Sequence, residues 1–338
     1  MFNMYNRRYT GSKYKLMKWI RDLIINNCTG NTFFDVFAGT GVVTEYLLKD
    51  FKNFIVNDFL YSNEVIYKGF LLQEEYDMNK LIKITQNYNN KNREKLEENY
   101  VSENFGDKYF NKDDAKIIGK IREDLEESIS NKKINDKEYF ILLSSLLFSM
   151  DKIANTCGHY DAYRKIEKID SRFKYELIIP KQLDKNQKIE IYREDSNKLS
   201  RKIKADIAFI DPPYNSRQYS RFYHVLENIT KWEKPELYGT ALKPKEENMS
   251  EYCKTSAPKV FKDLIDNLNV NYIVVTYNNT YNSKSSSSKN KITLEEIKTI
   301  LDEKGETKIF DKPYKFFNAG KTELKDHKEY VFITKVEK

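Results

Sequence analysis

The chain is poor in cysteine: Cys28, Cys157 and Cys253 are the only three in 338 residues, far apart and odd in number. Neither a disulfide framework nor a zinc site follows from such spacing. Long apolar runs are missing too. No stretch approaches the ~18 uninterrupted apolar residues of a membrane helix, so no membrane partner is expected. The opening MFNMYNRRYTGSKYK lacks the apolar core of a signal peptide, which makes the cytoplasm the default location expected. Aromatic residues, by contrast, are abundant: there are 25 Tyr and 20 Phe, and hydrophobic residues make up 40%. Wholesale disorder is thereby excluded. Lys and Arg number 58 against 51 Asp and Glu, a net +7. That surplus fits either a solvated, highly charged surface or a chain that meets a polyanion.

At roughly 150 residues per domain, the length suggests two domains, or one large domain with an insertion. TFFDVF (32–37), NFIVND (53–58), KIEIYRED (188–195), DIAFID (206–211) and YIVVTY (272–277) read as buried strands. Amphipathic patterns at 13–27, 41–51 and 293–305 read as helices between them, the last with Thr293 as cap and Gly305 as stop. Alternation of this kind predicts a mostly parallel sheet covered on both faces. KIFDKPYKFF (308–317) and KEYVFITKV (328–336) predict an antiparallel hairpin at the sheet edge. From about 65 to 187 the chain turns charged and mainly helical in pattern, with 138–156 as its most apolar helix. An insertion of that size predicts a subdomain of its own. NSKSSSSKNK (282–291) reads as a flexible loop whose lysines could brush phosphates.

Two clusters carry chemistry. Asp35-Val36-Phe37-Ala38-Gly39-Thr40-Gly41 ends one predicted strand and opens a helix. Its glycines permit a tight turn and close approach of backbone to a ligand. The next strand ends in Asn57-Asp58, about 20 residues on, where a carboxylate suits the two hydroxyls of a ribose. Together they suggest a nucleoside cofactor without distinguishing NAD from S-adenosylmethionine. The second cluster, Asp211-Pro212-Pro213-Tyr214, directly follows the buried run DIAFID. Two prolines cannot continue a strand, since both N–H donors are missing and each φ is fixed. The carboxylate, the Pro212 carbonyl and the Tyr214 ring are thereby held on a stiff platform at the sheet's carboxyl edge.

With DVFAGTG followed by DPPY, and Tyr9-Thr10-Gly11-Ser12-Lys13 ahead of both, the sequence resembles the adenine-N6 DNA methyltransferases. The order of segments is similar to their alpha group, in which target recognition lies between the cofactor loop and the catalytic motif. DPPYNSRQYSRFYHVLEN (211–228) resembles a subset of type II restriction–modification methylases. The resemblance implies a class I, Rossmann-like α/β methyltransferase fold: a mostly parallel seven-stranded sheet, an antiparallel edge hairpin, and an inserted helical recognition subdomain. It implies a catalytic domain over 1–64 and 188–338 and recognition over 65–187. S-adenosylmethionine is the implied cofactor, duplex DNA the implied partner, and a cognate endonuclease a possible functional one; a monomer or weak dimer is expected. Rival readings are methylation of cytosine N4 or of RNA, and a silent DNA-binding relative.

Asp211 and the Pro212 carbonyl are then expected to receive the two hydrogens of an exocyclic amine, with Tyr214 stacked on the base. Lys13 suits the cofactor carboxylate or the base edge, and Tyr9 an aromatic wall. Phe37 suits the cofactor's adenine or sulfonium side, or a plain core position, and Asp35 its amino group. Asp195 is a base-edge or second-layer acceptor, or simply a solvated strand-end carboxylate. Asn215, Gln218 and Tyr219 are expected to hold an extruded strand, and Arg217 and Arg221 to meet phosphates. His224 is expected to pack the following helix, or to touch DNA backbone. Cys157-Gly158-His159-Tyr160-Asp161-Ala162-Tyr163-Arg164-Lys165 reads as a DNA-contacting loop or a polar connection, with His159, Tyr160 and Arg164 as candidates. Its His and Cys are too sparse for a metal. The tract 238–253 reads as a polar loop near the catalytic motif.

Overall fold

A computed structural model describes residues 2–280, 288–314 and 326–337. Positions 282–287 of the expected Ser/Lys loop and 315–317 of the expected sixth strand lie outside these described residues. The strands are β1 (Thr32–Asp35), β2 (Asn53–Asn57), β3 (Lys188–Tyr192), β4 (Ile207–Ile210), β5 (Tyr272–Asn278), β6 (Thr307–Pro313) and β7 (Lys328–Lys335). The helices are α1 (Met17–Asn27), α2 (Val42–Leu47), α3 (Tyr61–Leu71), α4 (Met78–Asn90), α5 (Tyr100–Phe105), α6 (Lys112–Ser130), α7 (Asp136–Ile153), α8 (Ser196–Ser200), α9 (Tyr219–Phe222), α10 (His224–Lys231), α11 (Ala257–Asp266) and α12 (Leu294–Asp302).

The chain divides into two units. One contains Met1–Ser12, Leu60–Leu183 and Ser220–Glu247; the other contains Lys13–Phe59, Asp184–Tyr219 and Asn248–Lys338.

The second unit holds one sheet whose seven described strands run in the order β3-β2-β1-β4-β5-β7-β6. The four pairs from β3 to β5 are parallel, and β7 is antiparallel to both neighbours. This is the class I methyltransferase architecture expected from the sequence, including the antiparallel edge. The runs are apolar because the central strands are covered on both faces: every residue of β4 is buried. Phe34, Val36, Ile55, Ala208, Ile210, Ile273 and Val275 join Phe261, Leu264 and Ile297 of α11 and α12 in one core. Thr293 and Glu296 form a reciprocal capping box at the start of α12. The helix ends at Asp302, and Gly305 (φ +152°) serves the turn into β6 rather than the helix end itself. A Cβ there would lie 2.1 Å from the Lys335 carbonyl oxygen.

The first unit is helical. Among its described residues there are isolated bridges but no strand. Asn135 and Glu138 cap α7 reciprocally, and α7 is buried along most of its length. It lies close against α3, where Gly69 leaves no room for a side chain beside Ser144 and the Phe140 carbonyl. Arg122 of α6, itself buried, donates to the carbonyls of Ile229 and Thr230. It thereby satisfies the end of α10 with a cation, the sign that end favours.

The helical pattern expected up to 187 stops at Ile153. Residues 154–187 form an irregular strap bound by side chains of the helices. The carboxylate of Asp114 accepts from the backbone N–H groups of Arg172 and Phe173 and from Ser171 Oγ. Asn89 bonds both backbone groups of Tyr175, while Ser149 and Ser145 accept from the N–H of Glu176 and Ile178. A buried backbone needs partners. Here polar side chains supply them, so no helix is required.

Candidate active site

β1 and β4 are neighbours in the sheet, but the chain leaves them toward opposite sides: β1 is followed in the order by β2, β4 by β5. Ligands of open α/β sheets bind at such a switch point, outside the carboxyl ends of the strands. Asp35 closes β1 and Asp211 follows β4 there. The register Asp35↔Phe209 and the bond from Val36 N–H to the Phe209 carbonyl (3.0 Å) bring the two loops to one edge.

The β1 loop turns on two left-handed glycines, Gly39 (φ +55°) and Gly41 (φ +74°). Gly41 precedes α2, and its N–H returns to the Ala38 carbonyl at 2.7 Å, while Ala38 N–H reaches the Asn57 carbonyl at 2.9 Å. Gly39 N–H donates to Asp58 Oδ2 at 2.9 Å, so the acidic residue after β2 is fixed by the glycine loop itself. Thr40 is buried within the turn, and Phe37 meets Tyr252 edge to face.

Asp35 is fully buried. Its Oδ2 accepts from Thr44 Oγ1 at 2.7 Å, whereas Oδ1 has no hydrogen-bond partner among the described residues. Burial, with lesser help from the charges of Asp211 and Asp58, pushes its carboxyl up to about 7.

Around Asp211 the side chains converge. Oδ1 accepts from Tyr214 Oη at 2.5 Å and from Thr276 Oγ1 at 2.8 Å. Lys13 Nζ donates to Tyr214 Oη at 2.7 Å and forms an ion pair with Asp211 Oδ1 at 3.1 Å. Tyr214 is held from behind: its carbonyl accepts from Lys291 N–H at 2.7 Å and from Tyr277 Oη at 3.3 Å. Burial and the adjacent Asp211 keep its phenol far above the usual range, hence protonated and a donor. Lys13 lies just ahead of the turn Tyr14–Leu16, whose first bond runs from Leu16 N–H to the Lys13 carbonyl. Burial would lower its ammonium, but Asp211 and Glu329 carry it above the ordinary value. Pro212 is buried and Pro213 partly so, which ends β4 at Ile210.

The other candidates are more scattered. Asp195 lies beyond β3, which ends at Tyr192, and caps α8 by accepting from Lys198 N–H. Asn215 accepts from Arg217 N–H, and the Arg217 guanidinium donates to Ser288 Oγ. Gln218 exchanges two bonds with the backbone of Ser250, so its amide ties the 248–253 segment down rather than facing outward. Tyr219 opens α9.

In the helical unit, Tyr9 stacks on Tyr223 with centroids 4.7 Å apart. Arg221 donates to the Pro244 carbonyl, and Arg164 is exposed. His159 stacks on Phe222. Tyr160 departs from expectation. It is 1% exposed and donates to Asp151 Oδ1 at 2.9 Å, making it a core residue instead of a surface reader. His224 is buried with both ring nitrogens bonded, to the carbonyls of Arg221 and Ala241. No group of residues able to hold a metal ion occurs among the described residues, nor does a helix long and apolar enough to cross a membrane.

Three participants escape sequence reading: Thr276, Tyr277 and Glu329. Each sits on a strand whose pairing decides its neighbours. Glu329 pairs with Asn278 because β7 runs antiparallel to β5, so the start of β7 meets the carboxyl end of β5.

Comparison with known proteins finds related methyltransferases. The family model described as D12 class N6 adenine-specific DNA methyltransferase matches residues 9–282. The chain is 33% identical over 345 residues to type II methyltransferase M.FokI of Planomicrobium okeanokoites, covering 96% of this chain and 52% of that protein. It is 32% identical over 290 residues to modification methylase LlaI of Lactococcus lactis subsp. lactis, covering 80% and 46%. With type II methyltransferase M.NlaIII of Neisseria lactamica it shares 28% identity over 344 residues, covering 96% and 98%. The chain thus spans about half the length of the first two relatives and nearly all of the third.

Proposed function

Since the chain belongs to the D12 class N6 adenine-specific DNA methyltransferases, we propose that it methylates the N6 amine of an adenine in a specific short duplex-DNA site. S-adenosylmethionine is the donor, and when bound it supplies an electrophilic methyl group on a sulfonium. The observation that carries the reading is the Asp211 carboxylate, immobilised by Tyr214, Thr276 and Lys13 at the same sheet edge as the glycine loop.

The residues present suit that donor. Asp35 carries an unpaired, buried acceptor, Oδ1, where an ammonium would satisfy it. Asp58, oriented by Gly39 N–H, suits a ribose diol. Gly39 and Gly41 present bare backbone on either side of Thr40.

An exocyclic adenine amine is a weak nucleophile because its lone pair is delocalised into the ring. The Asp211 carboxylate and the Pro212 carbonyl would accept its two hydrogens and draw the nitrogen toward tetrahedral geometry. Orientation supplies most of the help, and fixed dipoles meet the charge that develops on nitrogen. The ring of Tyr214 would stack on the base. The target atom is hidden in a duplex, so the adenine is extruded, at a cost of a few kcal/mol offset by stacking and edge contacts. Asn215, Arg217, Arg221, His159 and the exposed Arg164 would contribute backbone contacts. The insertion 65–187 would carry target recognition, and 1–64 with 188–338 catalysis. The setting is a restriction–modification system with a cognate endonuclease, or an orphan methylase.

The test is transfer of labelled methyl to unmethylated mixed genomic DNA, followed by digestion to nucleosides. N6-methyladenine is expected, with Asp211→Ala losing at least about a thousandfold in rate. N4-methylcytosine, or no incorporation, overturns the reading.

A further inference from the structure

Phe37 lies two residues after Asp35 and two before Gly39, in the middle of the glycine loop. Its neighbours are tied by hydrogen bonds: Ala38 N–H reaches the Asn57 carbonyl, and Gly39 N–H reaches Asp58. An apolar ring has no such tie and depends on packing alone. Phe37 is only partly buried. It meets the ring of Tyr252 edge to face, with centroids 5.0 Å apart and planes 79° apart.

Tyr252 belongs to the short turn Glu251–Cys253, yet it is fixed at both ends. Its side chain is 3% exposed. Its hydroxyl donates to Asn197 Oδ1 at 2.9 Å. The Asn197 amide is pinned in turn, donating to the Val260 carbonyl at 2.8 Å and to Asp263 Oδ2 at 2.7 Å. Tyr252 N–H reaches Ser250 Oγ at 3.3 Å, and the Ser250 backbone exchanges two bonds with Gln218 at 2.7 and 3.0 Å. A tyrosine bonded at its tip and buried along its ring has spent its rotamer freedom in folding. It offers Phe37 a wall that does not move.

We propose that Tyr252 is a positioning residue that holds the Phe37 ring in place as one side of the S-adenosylmethionine site. A ring on a turn without such a support visits several rotamers. Apparent affinity then falls by the fraction of chains whose ring stands in the binding-competent one. The inference rests on the reading that the cofactor lies along the Asp35–Gly41 loop. It adds a residue from beyond the catalytic motif that acts through Phe37.

The experiment is a double-mutant cycle on the full chain, with Tyr252→Leu, Phe37→Leu and the pair, and with Tyr252→Phe as the conservative variant. Affinity for S-adenosylmethionine is measured by calorimetry without DNA, beside thermal melting and steady-state methylation. Tyr252→Leu is expected to weaken cofactor affinity by about three- to tenfold, as the loss of one aromatic pair frees the ring. The cofactor KM should rise to match, while kcat at saturating cofactor stays within about twofold. Tyr252→Phe loses the Asn197 bond but keeps the ring. It should melt lower than wild type and bind cofactor within about twofold of it. In the Phe37→Leu background, Tyr252→Leu should weaken binding no further, since its partner is already gone. Unchanged affinity in Tyr252→Leu, an equal loss in both backgrounds, or a loss in Tyr252→Phe as large as in Tyr252→Leu overturns the proposal. Should Tyr252→Leu not fold, Tyr252→Met enters the same cycle and is judged by the same outcomes. A wild-type chain that binds no S-adenosylmethionine overturns the underlying reading and this proposal with it; a wild type that binds it, with variants that fail the cycle, overturns the proposal alone.

Discussion

Thr276 of β5 donates its hydroxyl to Oδ1 of Asp211 at 2.8 Å, across the gap between two parallel strands. The bond matters because Asp211 follows its strand on a loop, where χ1 would otherwise be less constrained. The rigid strand thus orients the carboxylate. Thr276→Val keeps the shape and removes the donor. It is expected to leave cofactor affinity unchanged and to lower the methylation rate by about tenfold, the loss of one hydrogen bond to a charged group. Rapid-quench single turnover beside cofactor titration checks it; an unchanged rate would show that Tyr214 and Lys13 hold Asp211 without Thr276.

Asp58 acts through the cofactor loop. Its carboxylate accepts from Gly39 N–H, so Asp58→Ala removes both the proposed ribose acceptor and a clamp on the left-handed turn. Calorimetric affinity for S-adenosylmethionine should weaken by at least about tenfold. Equal affinity in the variant would remove Asp58 from the binding site.

Asp35 predicts a pH dependence of stability. Burial raises its folded pKa to about 7, above the ordinary 3.8. Between those values the folded chain holds a proton that the unfolded chain has released. The contribution is therefore full below the lower value and is lost as pH rises through about 7. Asp35→Asn stays neutral at every pH. Without cofactor, it should melt on the order of 2–5 °C above wild type at pH 8, with the gap closing as pH falls through the window from about 7 to 3.8. A pH-independent difference would show that Asp35 is charged throughout.

Gly69 is required by packing rather than by backbone conformation. A Cβ there would stand 2.4 Å from Ser144 Oγ and 2.9 Å from the Phe140 carbonyl oxygen. On an exposed helix Gly→Ala would stabilise by up to about 1 kcal/mol; here overpacking should outweigh that and destabilise by about 1–3 kcal/mol. Adding Ser144→Ala relieves the nearer clash and should recover part of the loss. Urea denaturation of the single and double variants would show it, and a stabilised Gly69→Ala would mean that α3 and α7 separate freely.

Period and punctuation made the sheet readable in advance. Apolar runs marked β1, β2, β4 and β5, and the double proline marked where β4 must stop, since each proline lacks the N–H that a ladder needs. Thr293 was readable as the cap of α12, and its reciprocal bonds with Glu296 bear that out. The strap 154–187 was not readable, because its backbone is satisfied by Asp114, Asn89, Ser145 and Ser149, residues distant in the chain that carry no local pattern. Tyr160 misled for a related reason: a tyrosine among polar residues looks exposed until Asp151 is found bonded to its hydroxyl.

What the amino-acid order determined alone is local: which segments extend, where glycines free the backbone, where prolines halt it, and which motif follows which. Those features depend on neighbours a few residues apart. The tertiary structure decided the company that Asp211 keeps. Lys13 comes from the start of the chain, Thr276 from β5 and Glu329 from β7, and strand pairing brings them to one edge. Register is set by burial of whole strand faces across the sheet, a property of the assembled core that no single stretch of sequence carries.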